Sequence, residues 1–116
     1  MPVIRHGVLL GLWVILVGCA AAAPSTLYHY ADQSRHTAEY LYQAIYAASQ
    51  RQQLPAQDLA DARQAYATWA QHMWGYLVAA EAGHYDAMEA QAMETQLQRL
   101  RAIAERNQVA AWPQRS

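Results

Sequence analysis

A seven-residue repeat of apolar side chains between residues 59 and 80 constrains the fold of this chain more than any other feature. The apolar positions alternate steps of three and four residues, which places them along one side of an α-helix. They are Leu59, Ala62, Tyr66, Trp69, Met73, Tyr76 and Ala80. From Thr37 onward no alternating apolar stretch is long enough to indicate a strand. We therefore expect an all-α fold in which this helix is the central packing element.

Breaks in the periodic pattern divide the chain into three predicted helices, over about residues 37–52, 55–82 and 84–107. Thr37 is a plausible N-cap for the first helix, and Pro55 should end it, because the residue before a proline is pushed away from helical backbone angles. The expected inward stripe of this helix consists of Leu41, Ala44, Ile45 and Ala48. Pro55 also suits the first turn of the second helix.

The link between the second and third predicted helices is very short. Gly83 fits the left-handed position that closes a helix, so the next helix should fold back against the one before it. Gly75 interrupts the second helix and indicates a bend or a close contact between helices. The apolar side of the third helix is expected to be Tyr85, Met88, Ala92, Met93, Leu97, Leu100, Ile103 and Ala104. The prediction is a small antiparallel three-helix bundle.

The N-terminal segment carries a different pattern. Arg5 supplies one fixed positive charge, and residues 7–17 then form an apolar run that is too short to span a membrane comfortably. The run ends in Leu16-Val17-Gly18-Cys19, which holds the only cysteine of the chain. This stretch resembles the lipobox of bacterial lipoproteins. The resemblance implies that residues 1–18 are a signal peptide, that the chain is cut before Cys19, and that Cys19 is acylated.

Several expectations about attachment follow from that resemblance. Two or three acyl chains anchor a protein firmly, whereas one binds reversibly. Ala20, where inner-membrane lipoproteins usually carry aspartate, implies the periplasmic face of the outer membrane in a two-membrane bacterium. Residues 19–36 are expected to be the lipidated cysteine and a flexible tether, residues 37–107 the helical domain, and residues 108–116 a frayed tail. Two alternatives remain: an uncleaved anchor that ends in a buried or idle thiol, and ordinary cleavage after an Ala-x-Ala site within residues 20–23.

The predicted hairpin turn carries a second, weaker resemblance. The stretch Ala80-Glu81-Ala82-Gly83-His84-Tyr85-Asp86-Ala87-Met88 is similar to the turn of a tetratricopeptide unit, with a glycine, an aromatic residue two positions later and a small residue beyond. The similarity covers one unit, roughly residues 68–100, and no second copy occurs at the required period of 34 residues. It implies a protein-binding scaffold.

Residues that could carry chemistry are scattered. His29, His36, His72 and His84 form no pair with the spacing that places two metal ligands on one helical face. His72 and Met73 are residue types that ligate haem, but the chain has no Cys-x-x-Cys-His motif for haem attachment. We therefore expect no cofactor or metal. Removing Arg5 leaves seven arginines against nine carboxylates, so no basic surface for nucleic acid is expected. With Cys19 acylated no thiol remains, and we expect no enzyme.

Aromatic residues outside the predicted seams are the remaining feature. Tyr42 and Tyr46 fall on the flank of the first helix away from Leu41 and Ile45, and Trp74 and Val78 lie on a flank of the second helix. Such residues concentrate at protein interfaces, although a bundle also buries both flanks of a middle helix. These four residues are the candidate partner surface, and the choice between core and interface stays open.

These patterns favour a membrane-anchored, periplasm-facing lipoprotein that acts as a non-catalytic accessory or protein-interaction module of the cell envelope. Its expected partners are the membrane, through Cys19, and another envelope protein. The alternative is a binder of small ligands or envelope polymers that uses an aromatic crevice between helices, lined by Trp69, Trp74 or Tyr76. Convergent carboxylates or histidines in one cleft would be needed to favour an enzyme.

Overall fold

The computed structural model describes residues 24–109 and consists of three helices that all contact one another. Helix α1 is Pro24–Gln50, α2 is Ala56–Glu81 and α3 is Ala87–Arg106. Within these 86 residues there is no strand, and the predicted antiparallel three-helix bundle is confirmed. No helix in the described part of the chain combines the length and apolar character needed to cross a membrane.

The two ends of the bundle can be told apart by what they contain. At one end the start of α1 meets the turn between α2 and α3, and the Tyr76 hydroxyl donates to the Leu27 carbonyl oxygen over 3.0 Å. At the other end the start of α2 meets the end of α3, and Arg106 Nη2 donates to Asp58 Oδ1 over 2.8 Å. We call these the hairpin end and the loop end.

Helix α1 begins earlier than the sequence pattern predicted. Residues 24–36, expected to be flexible tether, are helical, and Thr37 lies inside the helix instead of capping it. Leu27 and Ala31 are as buried as the predicted stripe that begins at Leu41. The tether prediction is therefore wrong for residues 24–36, whereas residues 1–23 and 110–116 lie outside the described part of the chain.

The buried positions of α1 follow one uninterrupted repeat with steps of four and three residues. They are Leu27, Ala31, Ser34, Ala38, Leu41, Ile45 and Ala48, and Ala44 beside Ile45 is buried as well. After Leu27, the first half of this repeat is occupied by small side chains, Ala31, Ser34 and Ala38, which carry little hydrophobic signal. Packing against a neighbouring helix buries them all the same, because small side chains let two helices approach closely.

The loop between α1 and α2 closes α1 by backbone hydrogen bonds. Gln52 has a φ of 57°, its N–H donates to the Ser49 carbonyl oxygen over 2.9 Å, and the Gln53 N–H donates to the Ala48 carbonyl oxygen over 3.0 Å. This pair of bonds is the Schellman arrangement, with Gln52 in the left-handed position that glycine usually takes. Pro55 then adopts extended angles and serves as the N-cap of α2, which begins at Ala56, one residue after the predicted start.

The turn at the hairpin end uses the same device with the expected residue. Gly83 has a φ of 74°, and the Gly83 and His84 N–H groups donate to the carbonyl oxygens of Ala80 and Ala79. The third helix begins at Ala87, later than predicted, because the Asp86 side chain caps it by accepting from the Glu89 N–H over 3.1 Å. Asp86 thereby satisfies one of the N–H groups that every helix start leaves unpaired.

The third helix presents a narrower apolar face than the sequence pattern predicted. The buried apolar residues of α3 are Ala90, Met93, Leu97, Leu100, Ile103 and Ala104. Tyr85 and Met88, assigned to the same face, are 50% and 84% exposed. Since the helix starts only at Ala87, Tyr85 belongs to the turn, and Met88 in the first turn points away from the other two helices.

The core divides into two clusters along the bundle axis. The cluster nearer the hairpin end contains Leu27, Ala31, Ala38, Trp69, Tyr76, Ala80, Ala90, Met93 and Leu97. The cluster nearer the loop end contains Leu41, Ile45, Ala62, Ala65, Leu100, Ile103 and Ala104. All three helices contribute to both clusters, so residues 24–38 form part of the folded domain.

Candidate interaction surfaces

The aromatic residues predicted for α1 form a stack that runs into the bundle. The Tyr42 and Tyr66 rings lie 4.8 Å apart with planes at 17°, and the Tyr66 and Trp69 rings lie 5.6 Å apart at 20°. Tyr46 extends the stack outward, 6.4 Å from Tyr42. Offset aromatic pairs at these distances contribute about 0.5–1.5 kcal/mol each beyond the area they bury. The stack therefore holds the Tyr42 ring in place and leaves the Tyr46 ring at the surface.

Burial distinguishes the two tyrosines. Tyr42 is half-buried and packs against the core cluster of the loop end, whereas Tyr46 is 42% exposed. The neighbouring Ser49 hydroxyl donates to the Tyr46 carbonyl oxygen over 2.9 Å, so the last turns of α1 are well bonded at this point. Tyr42 thus belongs chiefly to the packing of the domain, and Tyr46 is the accessible member of the pair.

Trp74 and Val78 lie in a different place, on the exposed side of α2 near the hairpin end. They are 71% and 57% exposed. Together with Tyr28 of α1, Leu77 and Glu81 they line an open groove of about 240 Å³ between the two helices. Tyr28 falls within the predicted tether, and no sequence pattern marks it as a neighbour of Trp74. We call these five residues the hairpin groove.

The four residues of the predicted partner surface therefore form two separate patches. Tyr46 lies about one turn from the end of α1 at the loop end, and Trp74 lies two turns from the end of α2 at the hairpin end. A rise of about 1.5 Å per residue places them about 20 Å apart along the bundle axis. A partner surface that includes both must cover about half of the bundle length, since the 27 residues of α1 span about 40 Å.

Trp69 and Tyr76 were expected to line a crevice, but both are buried in the core. The Trp69 indole Nε1 donates to Ser34 Oγ over 2.8 Å, and the Tyr76 hydroxyl donates to the Leu27 carbonyl oxygen. Burial raises the pKa of Tyr76 above its ordinary value. Both polar groups are therefore paired inside the protein, and neither is available to a ligand.

Tyr30 makes a similar bridge between α1 and α3. Its hydroxyl donates to Glu94 Oε2 over 3.2 Å and reaches the Ala90 carbonyl oxygen at 3.4 Å. Burial, followed by the negative charge of Glu94, raises the pKa of Tyr30 far above its ordinary value. The neutral phenol is thereby held as a donor, and the first two turns of α1 are tied to α3.

Gly75 marks a close contact between helices. Glu89 of α3 crosses its surface to accept a hydrogen bond from His72 Nδ1 at 2.7 Å. A Cβ at position 75 would lie 2.8 Å from Cδ of Glu89, so a side chain there would displace the carboxylate. His72, Asp86, Met88, Glu89 and Ala92 line an open depression of about 330 Å³ beside this contact.

Metal-binding geometry is not found in the part of the chain that the structure describes. Across residues 24–109 no three His, Cys, Asp or Glu side chains come together in a way that could hold a metal ion. Asp58, which lies one turn from Asp61, is instead bonded to Arg106 and to Asn107 Nδ2 at 2.8 Å. These donors, Arg106 first, hold the pKa of Asp58 below its ordinary value. The Asp58 contact joins the loop end of α2 to the end of α3.

Cys19, the predicted lipidation site, lies outside the described residues, as does Ala20. It precedes the first residue of α1 by five positions in the sequence. Comparison with known proteins identifies no relative: no family model, no curated protein and no solved structure matches this chain.

Proposed function

We propose that this chain is a lipoprotein anchored through Cys19, facing the periplasm, whose helical bundle is a non-catalytic interaction module of the cell envelope. The observation that carries the proposal is the sequence Leu16-Val17-Gly18-Cys19 at the end of a short apolar run behind Arg5. Acylation of the thiol and cleavage before it would leave residues 19–116 attached to a membrane. Ala20 favours the outer membrane where the cell has two.

The start of α1 adds a spatial consequence to this proposal. Only five residue steps separate Cys19 from Pro24, and an extended chain covers at most about 17 Å in that number. An acylated Cys19 would therefore hold the hairpin end of the bundle close to the lipid surface. The loop end, with Tyr46, lies at the opposite end of the bundle from this anchor, where another protein in the periplasm could reach it.

Tyr46 supports a protein partner at the loop end. It is an exposed tyrosine whose ring is already oriented by stacking on Tyr42, so binding it would cost little side-chain entropy. Tyrosine is among the residues that dominate binding energy when a partner covers them. In this proposal an envelope protein covers the loop end and contacts Tyr46.

Crosslinking in intact cells tests the partner directly. A photoreactive aromatic amino acid replaces Tyr46 in the full-length chain, and Gln64, an exposed residue of α2, carries the same group in the matched control. We expect a discrete adduct at position 46 that is absent at position 64. The same adducts at both positions, or none at position 46, would contradict a partner site there.

The anchor is tested separately by the Cys19→Ser substitution. The unsubstituted chain should fractionate with membranes after lysis and salt washing, whereas the variant should leave the membrane fraction or remain as the uncleaved precursor. Equal membrane association of a processed Cys19→Ser chain would show that the thiol does not hold the protein there.

The alternative of a small-ligand binder is favoured by one observation, the Trp74-lined hairpin groove. Its volume of about 240 Å³ falls below the roughly 300–1,000 Å³ of typical ligand pockets, and the groove is open along one side. Equilibrium dialysis with envelope glycans or apolar probes tests this alternative. Saturable binding that is lost in Trp74→Ala would favour it over the interaction module.

A further inference from the structure

The exposed large apolar side chains of the described residues are unevenly distributed along the bundle. Most of them lie at the hairpin end, in the first turns of α1, the last turns of α2 and the start of α3. These residues are Tyr28, Trp74, Val78, Tyr85 and Met88. Surface apolar residues scattered singly need no explanation, but a concentration at one end of an elongated domain marks a contact surface.

The composition of this surface matches the interface of a lipid bilayer. Trp and Tyr combine an apolar ring with a polar group and are enriched at the level of the lipid headgroups. The Tyr85 ring contacts Tyr76 edge to face, with centroids 6.1 Å apart, and is thereby held at the tip of the bundle. Val78 adds an apolar side chain without any polar group to desolvate.

The connection to the anchor identifies the occupant. Pro24, the first residue of α1, is at the same end of the bundle as this surface, because Tyr76 near the end of α2 bonds to Leu27. With Cys19 only five steps away, a bundle on an acylated chain stays within about 17 Å of the lipid. Tethering at so short a distance gives weak surface contacts a high effective concentration.

Charge selects the kind of lipid surface. The hairpin end carries the carboxylates Asp32, Glu81, Asp86, Glu89 and Glu94, against Arg35. The arginines Arg51, Arg63, Arg99, Arg101 and Arg106 lie in the loop half. An anionic leaflet repels such an acidic end, whereas a zwitterionic one does not. The contact must therefore depend on apolar burial in a zwitterionic surface.

We propose that the hairpin groove seats on the interface of a zwitterionic bilayer, so that the bundle lies tilted on the membrane, with the α1–α2 side of its hairpin end against the lipid. This inference rests on the proposed acylation of Cys19 and goes beyond it, since an anchor alone would let the domain swing freely. Trp74 inserts its ring at headgroup depth, next to Tyr28 and Val78.

The test uses the acylated full-length protein, purified from membranes and reconstituted in phosphatidylcholine vesicles with brominated acyl chains. The background is Trp112→Phe, which leaves Trp69 and Trp74 in the processed chain. Trp69 is buried in the core and serves as the internal reference. Trp74→Phe in the same background measures the emission of Trp69 alone. Trp74→Phe with Ala102→Trp moves the exposed indole to α3 near the loop end.

We expect brominated lipid to quench the emission of Trp74 and to leave the Trp69 emission and the indole at position 102 unquenched. Adding Val78→Asp should reduce the quenching of Trp74. Unquenched Trp74 in a protein whose mass shows the acyl chains would overturn the seating and leave the anchor intact. If that unquenched emission shifts to the blue as protein density rises, a second copy covers the face instead. A protein without acyl chains would contradict the proposed function and this inference together.

Discussion

The indole N–H of Trp69 in α2 donates a hydrogen bond to the hydroxyl oxygen of Ser34 in α1, over 2.8 Å and inside the core. Both residues are almost fully buried. Ser34 belongs to the stretch that looks least structured in the sequence, and Trp69 belongs to the most regular seam. The bond therefore joins α2, which the apolar repeat predicts, to the first half of α1, which the repeat does not predict.

Replacing Ser34 with alanine should lower the free energy of unfolding by about 1–2 kcal/mol. The substitution leaves a buried indole N–H without an acceptor, which costs roughly 1–3 kcal/mol, and the higher helix propensity of alanine returns a part of that. Urea unfolding of the chain beginning at Ala20 measures the difference. Ser25→Ala, at an exposed position of the same helix, is the control and should change little. Equal stability of the two variants would mean that residues 24–36 do not pack as described.

The two closing turns predict substitutions of opposite sign. Gly83→Ala should lower the free energy of unfolding by about 1 kcal/mol, because alanine is strained at a φ of 74°. No atom lies within 4 Å of the new methyl group, so backbone strain is the whole of the expected effect. Gln52→Gly should raise it by about 0.5 kcal/mol, since Gln52 carries the same strain at a φ of 57°. Urea unfolding measures both. A shift in the same direction for the two variants would count against the left-handed assignment of one of them.

Gly75 and Glu89 should couple in a double-mutant cycle. In a Glu89→Ala background, Gly75→Ala should stabilise the protein by about 1 kcal/mol through helix propensity alone. With Glu89 present the gain should be smaller by about 0.5–1.5 kcal/mol, because the new methyl group displaces the carboxylate that bonds to His72. Thermal unfolding of the four proteins gives the coupling. Additive effects would show that Glu89 does not cross Gly75.

The contact of Asp58 with Arg106 and Asn107 predicts a loss of stability in acid. The pKa of Asp58 is lower in the folded protein than in the unfolded chain, so its contribution is complete above about pH 4 to 5. That contribution disappears as the pH falls through the lowered pKa. Asp58→Asn should therefore melt below the unsubstituted protein at pH 7, and the gap should narrow towards pH 2.5. Asp61→Asn controls for removing a carboxylate from the same part of α2. A gap that stays constant with pH would contradict the ion pair.

The sequence predicts the architecture because large apolar residues occupy most of the seam of α2 and the second half of α1. Leu41 and Ile45 recur at helical spacing in α1, as Trp69 and its neighbours in the seam do in α2. Gly83 marks the turn. The first half of α1 escaped because Ala31, Ser34 and Ala38 are too small to produce an apolar period. Their burial depends on a partner helix that only the tertiary structure supplies.

The candidate surfaces were predicted less completely, and for a related reason. Periodicity separates the inward side of a helix from the outward side, so it identified Tyr46, Trp74 and Val78 as outward. It contains no information on the distance between two helices along the bundle axis. The division of the predicted surface into a loop-end patch and the hairpin groove, and the approach of Tyr28 to Trp74, therefore required the packed structure.

The mass of the mature chain purified from membranes tests the central claim most directly. Intact mass spectrometry and sequencing of the N-terminal peptide should show a chain that begins at Cys19 and carries two or three acyl chains. The Cys19→Ser variant should lack both the cut and the added mass. The account would be contradicted by a mature chain that begins after Ala20, or by one that carries no acyl group and is found in the fraction without membranes.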